Sequence, residues 1–260
     1  MSEEKKRVRH VLGLSGGKDS AALAIYLKDQ GRVPEMEYFF CDTGAELPEV
    51  YDFLDKMEDY LGKEVVRLNS GKDFDHHLKT YGNYLPSPRQ RWCTRVMKIE
   101  PFERFIGEDE AISYIGIRAD ENRDGYISTK PNIKAVFPFI YDGIVREDVF
   151  RLLKETVGIP EYYNWRQRSG CYFCFFQKRS EWLGLKKKHP ALFEAAKQYE
   201  DAKHGYTWIH GMKLDEAVEK AEQVETRMQP SARGSISWHQ ALGEEMDDEE
   251  SEQGCLICSL

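Results

Sequence analysis

A strand that runs directly into a glycine turn and then into a helix is the feature that most constrains this chain. Residues 8–14 have the apolar composition of a buried strand, and residues 21–28 are good helix formers. The turn that joins them reads Ser15-Gly16-Gly17-Lys18-Asp19-Ser20. Such a unit buries its strand in a sheet and lays its helix on one face, so the sequence predicts an α/β fold.

The turn at residues 15–20 has the properties of a phosphate-binding loop. It opens a helix, where free backbone N–H groups and the helix dipole stabilise an anion, and its two glycines allow close backbone approach. Lys18 adds a charge, the two serine hydroxyls can donate to phosphate oxygens, and Asp19 can position Mg²⁺ or the loop itself. The spacing differs from that of the Walker P-loop. An ordinary turn with a surface lysine is the alternative.

Strand and helix patterns alternate through the first half of the chain. Residues 37–41 form a second apolar strand, Pro48–Leu61 is a helix with one apolar face, and residues 64–68 and 112–117 are further strands. This alternation predicts a parallel, doubly wound sheet with helices on both faces. From residue 146 the pattern is helical, with helices expected over residues 147–157, 180–188, 190–204 and 213–228.

These patterns divide the chain into an α/β domain over residues 1–145, a helical cysteine-containing region over residues 146–229 and a tail over residues 230–260. The net charge is −8, and seven acidic residues lie between positions 244 and 252, so the acidity belongs to the tail. Residues 163–190 carry seven basic residues against one Glu. That local excess suits an anionic partner such as nucleic acid or, equally, a solvated helix face.

Composition also bears on where the protein acts. No apolar run approaches the ~20 residues that cross a bilayer, which predicts no membrane contact. The charged N-terminus passes directly into strand sequence and leaves no room for a signal peptide, so we expect a cytoplasmic protein with reduced thiols. An oligomer is compatible with the sequence.

Polar residues follow the carboxyl ends of three predicted strands, namely Ser15, Asp42-Thr43 and Arg118. Open α/β sheets bind ligands at this edge, so we expect these residues to converge on one crevice. A capping box of Thr43 and Glu46 would place Pro48 at the fifth helical position, where its ring is unfavourable. A helix that starts at Pro48 instead leaves residues 42–46 as a binding loop.

Four ordered segments resemble the family that contains ATP pyrophosphatases and the reductases of phosphoadenylyl sulfate (PAPS) and adenylyl sulfate (APS). The loop at residues 15–20 resembles the family's pyrophosphate loop, residues 40–49 its Asp-Thr-Gly-x-Glu-x-Pro-Glu segment, and residues 116–123 its arginine-containing segment. Residues 91–95, with Lys98 and Pro101, resemble the cysteine-containing stretch before a Lys-x-x-Pro. The resemblance implies an adenine nucleotide alpha-hydrolase-like fold that binds ATP, PAPS or APS.

On this resemblance, Lys18 and Asp19 are the catalytic candidates. Arg118 and Arg123 are expected to clamp phosphate or to close over it, with surface arginines in a loop as the alternative. The full set expected to bind the nucleotide is Ser15, Gly16, Gly17, Lys18, Asp19, Ser20, Asp42, Thr43, Glu46, Arg95, Lys98, Gly116, Arg118 and Arg123.

The cysteines raise the question of a metal. Cys171 and Cys174 have the two-residue spacing that lets both thiolates face one metal ion or cluster. In iron–sulfur APS reductases a cysteine pair beside the Lys-x-x-Pro joins such a motif, and here only Cys93 matches that pair. The fourth ligand of a [4Fe–4S] cluster is expected from Cys258 of the tail, or the fourth iron stays open for substrate sulfur, as in some cluster-dependent thiolation enzymes of the wider superfamily. Zinc, or no metal with cysteines buried among aromatic residues, stays open, as does a redox role for Cys255 and Cys258.

The chain lacks the Glu-Cys-Gly-x-His at the C-terminus of true sulfonucleotide reductases. Residues 170–177 resemble instead PAPS reductase-like proteins found in phages, beside DNA-phosphorothioation genes and beside some type IV CRISPR loci. We therefore expect ATP cleavage to AMP and pyrophosphate that activates a substrate for sulfur transfer, with a protein sulfur donor as one partner. Two alternatives are a PAPS or APS reductase that uses a C-terminal cysteine, and a nucleic-acid-associated accessory protein that binds a nucleotide with little turnover.

Overall fold

A five-stranded parallel sheet lies at the centre of the computed structural model, which describes residues 8–122, 128–201 and 203–228. The strands are β1 (Arg9–Gly13), β2 (Glu37–Cys41), β3 (Val65–Leu68), β4 (Ala111–Tyr114) and β5 (Ile133–Val136), in the order β3-β2-β1-β4-β5. From β1 the chain first builds outward through β2 and β3, then crosses back to add β4 and β5 on the other side. The strand order therefore reverses between β1 and β4, and ligands bind at such a switch point.

Alternate residues of each strand face opposite sides of the sheet, as the two-residue period of a strand requires. Val11 of β1 and Phe39 of β2 belong to one apolar cluster, while their neighbours Leu12 and Phe40 belong to another. Both faces are therefore buried under helices, and the predicted doubly wound α/β fold is confirmed.

Glycine and proline residues in the sequence mark the ends of the first two helices that cover the sheet. The first helix begins at Lys18, inside the phosphate loop, and the second begins at Pro48 and stops at Gly62, which has a φ of 65°. The helices are α1 (Lys18–Asp29), α2 (Pro48–Leu61), α3 (Phe74–Thr80), α4 (Trp92–Thr94), α5 (Glu100–Ile106), α6 (Pro138–Tyr141), α7 (Arg146–Glu155), α8 (Arg179–Lys188), α9 (Pro190–Lys197) and α10 (Leu214–Met228), with a π-helical turn at Arg95–Ile99 and a 3₁₀ turn at Glu161–Asn164.

Several elements differ from the sequence-based expectation. The edge strand β5 was not predicted, because it has only four residues and its charged Lys134 interrupts the apolar run. The helix expected over residues 190–204 ends at Lys197. The chain turns there because the Glu200 carboxylate accepts hydrogen bonds from the backbone N–H groups of Trp208 and Leu214.

The helical region packs on the side of the sheet that α1 and α2 cover. Trp182 and Phe193 are fully buried and lie in the same apolar cluster as Leu12. The boundary near residue 145 stays a proposal, because one continuous core runs across it. Residues 230–260 lie outside the described part of the chain. No helix in the described residues is long and apolar enough to cross a bilayer.

Candidate functional site

The phosphate loop, residues 15–20, shapes itself with its own serine hydroxyls. Ser20 Oγ accepts from the backbone N of Ser15 at 3.2 Å and donates to the carbonyl of Gly17 at 3.1 Å. Ser15 Oγ lies 3.2 Å from Ser20 Oγ and accepts from the backbone N of Gly17 at 3.3 Å. Both hydroxyls are buried, so in this arrangement they hold the loop in shape.

Two glycines allow the close approaches on which the site depends. Gly16 has a φ of 72°, and a Cβ there would lie 2.6 Å from Val50 Cγ1 of α2. At Gly116, which follows β4, a Cβ would lie 2.8 Å from the carbonyl oxygen of Asp19. A side chain at Gly116 would push apart the segments that follow β1 and β4, and a side chain at Gly16 would push α2 away from the phosphate loop.

Asp19 joins the phosphate loop to the segment after β4. Its two carboxylate oxygens pair with Lys18 Nζ at 2.9 Å and with Arg118 Nη1 at 2.7 Å. Arg118 also contacts Asp120 at 2.9 Å and Glu121 at 2.6 Å, and its side chain is 9% exposed. The structure thus brings together the predicted residues Lys18, Asp19 and Arg118.

Burial and charge act in opposite directions on this network. Burial alone would raise the pKa of Asp19, but the charges of Lys18 and Arg118 outweigh it and lower that pKa below the ordinary value. Burial would lower the pKa of Arg118, whereas Asp19 and Glu121 raise it. Asp19 is therefore ionised and the guanidinium charged, so the network offers two cations held in place by carboxylates.

The segment after β2 forms a second wall. The Asp42 carboxylate accepts from the backbone N of Gly44 and from the hydroxyl of Tyr51, each at 2.8 Å, which fixes the turn. Thr43 Oγ1 donates to Glu46 Oε1 at 3.0 Å, and both side chains are buried. Among the described residues, Glu46 Oε2 has no hydrogen-bond partner. The expected binding loop at residues 42–46 is therefore ordered by its own polar contacts.

Three other residues that were predicted to bind the nucleotide are Arg95, Lys98 and Arg123. The Arg95 side chain is 76% exposed and contacts Glu100 at 3.3 Å, so it points to solvent on the surface. Lys98 lies closer to the crevice, where its backbone carbonyl accepts from Cys41 Sγ at 3.5 Å. Its charge opposes the effect of burial on the pKa values of Cys41 and Cys171. Arg123 lies outside the described residues.

Cys171 faces the second wall. Its Sγ lies 3.2 Å from Thr43 Oγ1 and 3.6 Å from Glu46 Oε1, and burial, followed by the Glu46 charge, raises its pKa well above the ordinary value. The parts of the chain that the structure describes contain no group of three or more His, Cys, Asp or Glu side chains that could hold a metal ion. Cys93, Cys171 and Cys174 do not form such a group, and Cys258 lies outside the described residues.

Sequence reasoning missed the residues that cover the phosphate loop. Tyr163 Oη accepts from the backbone N of Lys18 at 2.9 Å, and the hydroxyl of the buried Tyr162 donates to the carbonyl of Gly16. Ser169 Oγ lies 2.7 Å from where a Cβ on Gly17 would be. Burial and the Asp19 charge raise the pKa of Tyr163, so its hydroxyl is protonated. No local signal marks these residues, since more than 140 positions separate them from the loop.

Comparisons with known proteins agree with the sequence motifs. Residues 9–138 match the family model of the phosphoadenosine phosphosulfate reductase domain. An uncharacterised protein of Methanocaldococcus jannaschii is 28% identical over 223 residues, which cover 80% of this chain and 44% of that protein. The tRNA-specific 2-thiouridylase of Verminephrobacter eiseniae is 28% identical over 212 residues, or 67% of this chain and 54% of that protein. The chain spans about half the length of these curated relatives.

Among solved structures, the phosphoadenylyl-sulfate reductase of Candida auris in a phosphate complex matches with a TM-score of 0.49 and 13% identity, over 64% of this chain and 82% of that one. The expected relation to phage or CRISPR-associated proteins stays a prediction. The family model covers half of the chain and includes the phosphate loop, the segment after β2 and Arg118. The chain therefore belongs to the phosphoadenosine phosphosulfate reductase domain family.

Proposed function

We propose that the chain binds ATP in the crevice between β1 and β4 and cleaves it between the α- and β-phosphates, thereby activating a substrate for sulfur transfer. The observation that carries the proposal is the network at the switch point. There the N-terminus of α1 and the side chain of Lys18 lie beside Arg118, and Asp19 joins them. Backbone N–H groups and two cations in one crevice suit a pyrophosphate group.

The chemistry needs few groups from the protein. A substrate oxygen attacks the α-phosphorus, the bond from that phosphorus to the bridging oxygen breaks, and pyrophosphate leaves with the electron pair. The Lys18 N–H, together with the Lys18 ammonium, stabilises the charge on the leaving group. A sulfur nucleophile then displaces AMP from the adenylated substrate. ATP arrives as its magnesium complex, and Asp19 is the loop carboxylate that can orient it.

Tyr162 and Tyr163, which we call the tyrosine cover, lie over the phosphate loop, so ATP can reach the loop only if Tyr163 releases the Lys18 N–H. The Lys18 N–H that a phosphate oxygen would use is bonded to Tyr163 Oη. A bound phosphate would replace this neutral acceptor with a charged one, and charge-assisted hydrogen bonds are about twice as strong. The exchange therefore favours the nucleotide.

A second candidate function is reduction of PAPS or APS, favoured by the family model that matches residues 9–138. It shares the phosphate crevice but uses a thiol to attack sulfur. Cys171 is the described thiol on the crevice wall, and burial keeps it protonated there. The similarity to a tRNA-specific 2-thiouridylase favours sulfur transfer instead.

Product identification separates the two reactions. The full chain, purified without oxygen, would be incubated with ATP or with PAPS and a dithiol, and the nucleotide and sulfur products separated. We expect AMP and pyrophosphate from ATP, lost in Lys18→Gln and kept in Lys28→Gln, which removes a lysine at the other end of the same helix. Sulfite from PAPS without AMP from ATP would overturn the proposal, as would ADP and phosphate.

A further inference from the structure

A second concavity lies outside the nucleotide crevice. It has a volume of about 400 Å³ and is lined by residues from three stretches, at 84–88, at 167–168 with 175–181 except Ser180, and at 205–210. This size suits one small ligand or one unit of a longer ligand. We call it the basic-aromatic cleft, for the residues described next.

Aromatic rings form much of the cleft wall. Phe175 and Phe176 are each partly exposed, and their ring centroids are 4.4 Å apart. Tyr84 and Tyr206, from the other two stretches, meet edge to face at 5.3 Å. Trp208 closes the inner end and is 5% exposed. Partly exposed rings from three stretches provide surfaces on which a planar group can stack.

The seven basic residues of the 163–190 segment make different kinds of contact in the structure. Arg166 is buried and donates to the carbonyls of Gly170 and Cys171, so it holds the cysteine turn. Lys186 and Lys187 pair with Glu222 and Glu225 of α10. These contacts explain three of the seven basic residues as supports of the fold.

Three other basic residues of that segment, Arg168, Lys178 and Arg179, line the cleft. The Arg168 guanidinium carbon lies 6.0 Å from the Phe176 ring centroid, and that of Arg91 lies 5.0 Å from the same centroid. The acidic residue of the lining, Glu181, is buried and accepts from the backbone N–H groups of Gln167 and Lys178. Its charge is thus engaged at the N-terminus of α8, and the described lining carries three basic residues against this one carboxylate.

The cleft and the nucleotide crevice share a wall. The backbone N of Tyr172 donates to the carbonyl of Ala45 at 2.8 Å, and Cys171 faces Thr43 and Glu46. Five residues after Cys171, Phe176 lines the cleft and packs against the apolar cluster that contains Cys41, at the carboxyl end of β2. A molecule in the cleft would therefore lie beside the edge of the sheet where the nucleotide is activated.

We propose that the basic-aromatic cleft binds single-stranded nucleic acid, with a base stacked on the Phe175 and Phe176 rings and the adjoining phosphates at Arg168 and Arg179. Single strands are recognised by this combination of stacking rings and cations, because every base has a π-face and every phosphate a charge. An acidic peptide would use the cations but not the rings. This inference rests on the proposed function, since it names a nucleic acid as the substrate that ATP activates.

Fluorescence anisotropy of a labelled single-stranded RNA of about 12 nucleotides, added to the full chain without ATP, tests the inference. We expect saturable binding that weakens as salt rises, because phosphate contacts release counterions. Arg168→Gln/Arg179→Gln should lose about tenfold or more in affinity, and Phe175→Leu, which removes a ring but keeps apolar volume, about fivefold or more. The control Lys187→Gln/Lys188→Gln removes the same charge from the same segment and should change the affinity less than about twofold.

Equal weakening in both double variants, equally tight binding of polyglutamate, or equally tight binding of the same RNA as a duplex would overturn the proposal. Two cross-checks distinguish its failure from that of the proposed function. Lys18→Gln should keep the RNA affinity, and the cleft variants should keep the ATP affinity. If the wild-type chain cleaves ATP but does not bind RNA, only the proposal about the cleft is refuted. If it binds RNA but does not cleave ATP, only the proposed function is refuted.

Discussion

The nucleotide crevice and the basic-aromatic cleft carry their charges in opposite ways. In the crevice, Arg118 is 9% exposed and contacts three carboxylates, so each charge there depends on its partner. In the cleft, Arg168 and Arg179 are partly exposed and lie around aromatic rings. A buried network fixes geometry but leaves a stranded charge when one member is removed, whereas a half-exposed cation can be lost without that cost. Substitutions in the crevice should therefore reduce stability more than substitutions in the cleft, and both should weaken ligand binding.

The largest effect should come from Arg118→Gln. The substitution leaves the partly buried carboxylates of Asp19 and Glu121, which are 18% and 17% exposed, without the guanidinium, and breaking a buried pair costs about 3–5 kcal/mol. We expect the free energy of unfolding in urea to fall by an amount near the lower end of that range, together with a loss of ATP affinity.

Arg32→Gln is the matched control, because the Arg32 side chain is 45% exposed where it pairs with Asp142 on the surface. It should change stability little. Equal effects of the two substitutions would show that burial does not set the strength of the crevice network.

The next largest effect should come from Gly16→Ala. An alanine there meets Val50 Cγ1 at 2.6 Å and also adopts a φ of 72°, and we expect a loss of about 2 kcal/mol in stability and a fall in ATP affinity. Gly31→Ala shares the positive φ, at 61°, but its Cβ would meet nothing within 4 Å. It should cost about 1 kcal/mol without changing ATP affinity. If urea unfolding and ATP titration gave the same values for both variants, the close approach of α2 to the loop would be refuted.

A smaller effect is expected for Tyr163→Phe, which removes the hydroxyl bonded to the Lys18 N–H. The folded chain loses the hydrogen bond to the Lys18 N–H, which contributes about 1 kcal/mol. ATP affinity should rise several-fold, because phosphate no longer displaces the hydroxyl. Tyr26→Phe, at an exposed hydroxyl that donates to Asp142, serves as the control in the same calorimetric titration. A fall in affinity would show that Tyr163 contacts the nucleotide instead of covering its site.

The smallest effect concerns pH. Lys18 and Arg118 lower the pKa of Asp19 against the opposing effect of burial, so its folded value lies below the unfolded value of about 3.9. The stability that this carboxylate contributes is present above the unfolded value and is lost as pH falls through the folded value. The difference in unfolding free energy between wild type and Asp19→Asn should therefore stay constant from pH 8 to about 5 and shrink below about pH 4. A difference that declines near pH 6 would contradict an ionised Asp19 held by two cations.

Local signals in the sequence predicted much of the sheet and one half of the site. The strand, loop and helix at residues 8–28 and the helix that starts at Pro48 were readable because strand pattern, glycines and proline act within a few positions. Arg118 could be placed near the loop because both follow strands at the same edge of the sheet.

The contacts that residues 160–177 make were not readable from the sequence. The tyrosine cover and the contact of Cys171 with Thr43 depend on where residues 160–177 fold back onto the sheet. The spacing of Cys171 and Cys174 allowed a common metal, but spacing does not reveal that Cys171 faces a threonine and a carboxylate. The basic segment likewise reads as one charge run, and only its packing separates the supports of the fold from the cleft residues.

Calorimetric titration of ATP and of adenosine into the full chain tests the phosphate crevice most directly. We predict that ATP binds much more tightly than adenosine, because the phosphates supply the contacts. Lys18→Gln should weaken ATP binding about tenfold, as expected for loss of a charge-assisted contact, while Lys28→Gln at the far end of the same helix leaves it unchanged. Equal affinities for ATP and adenosine, or an ATP affinity that Lys18→Gln does not change, would contradict a phosphate site in this crevice.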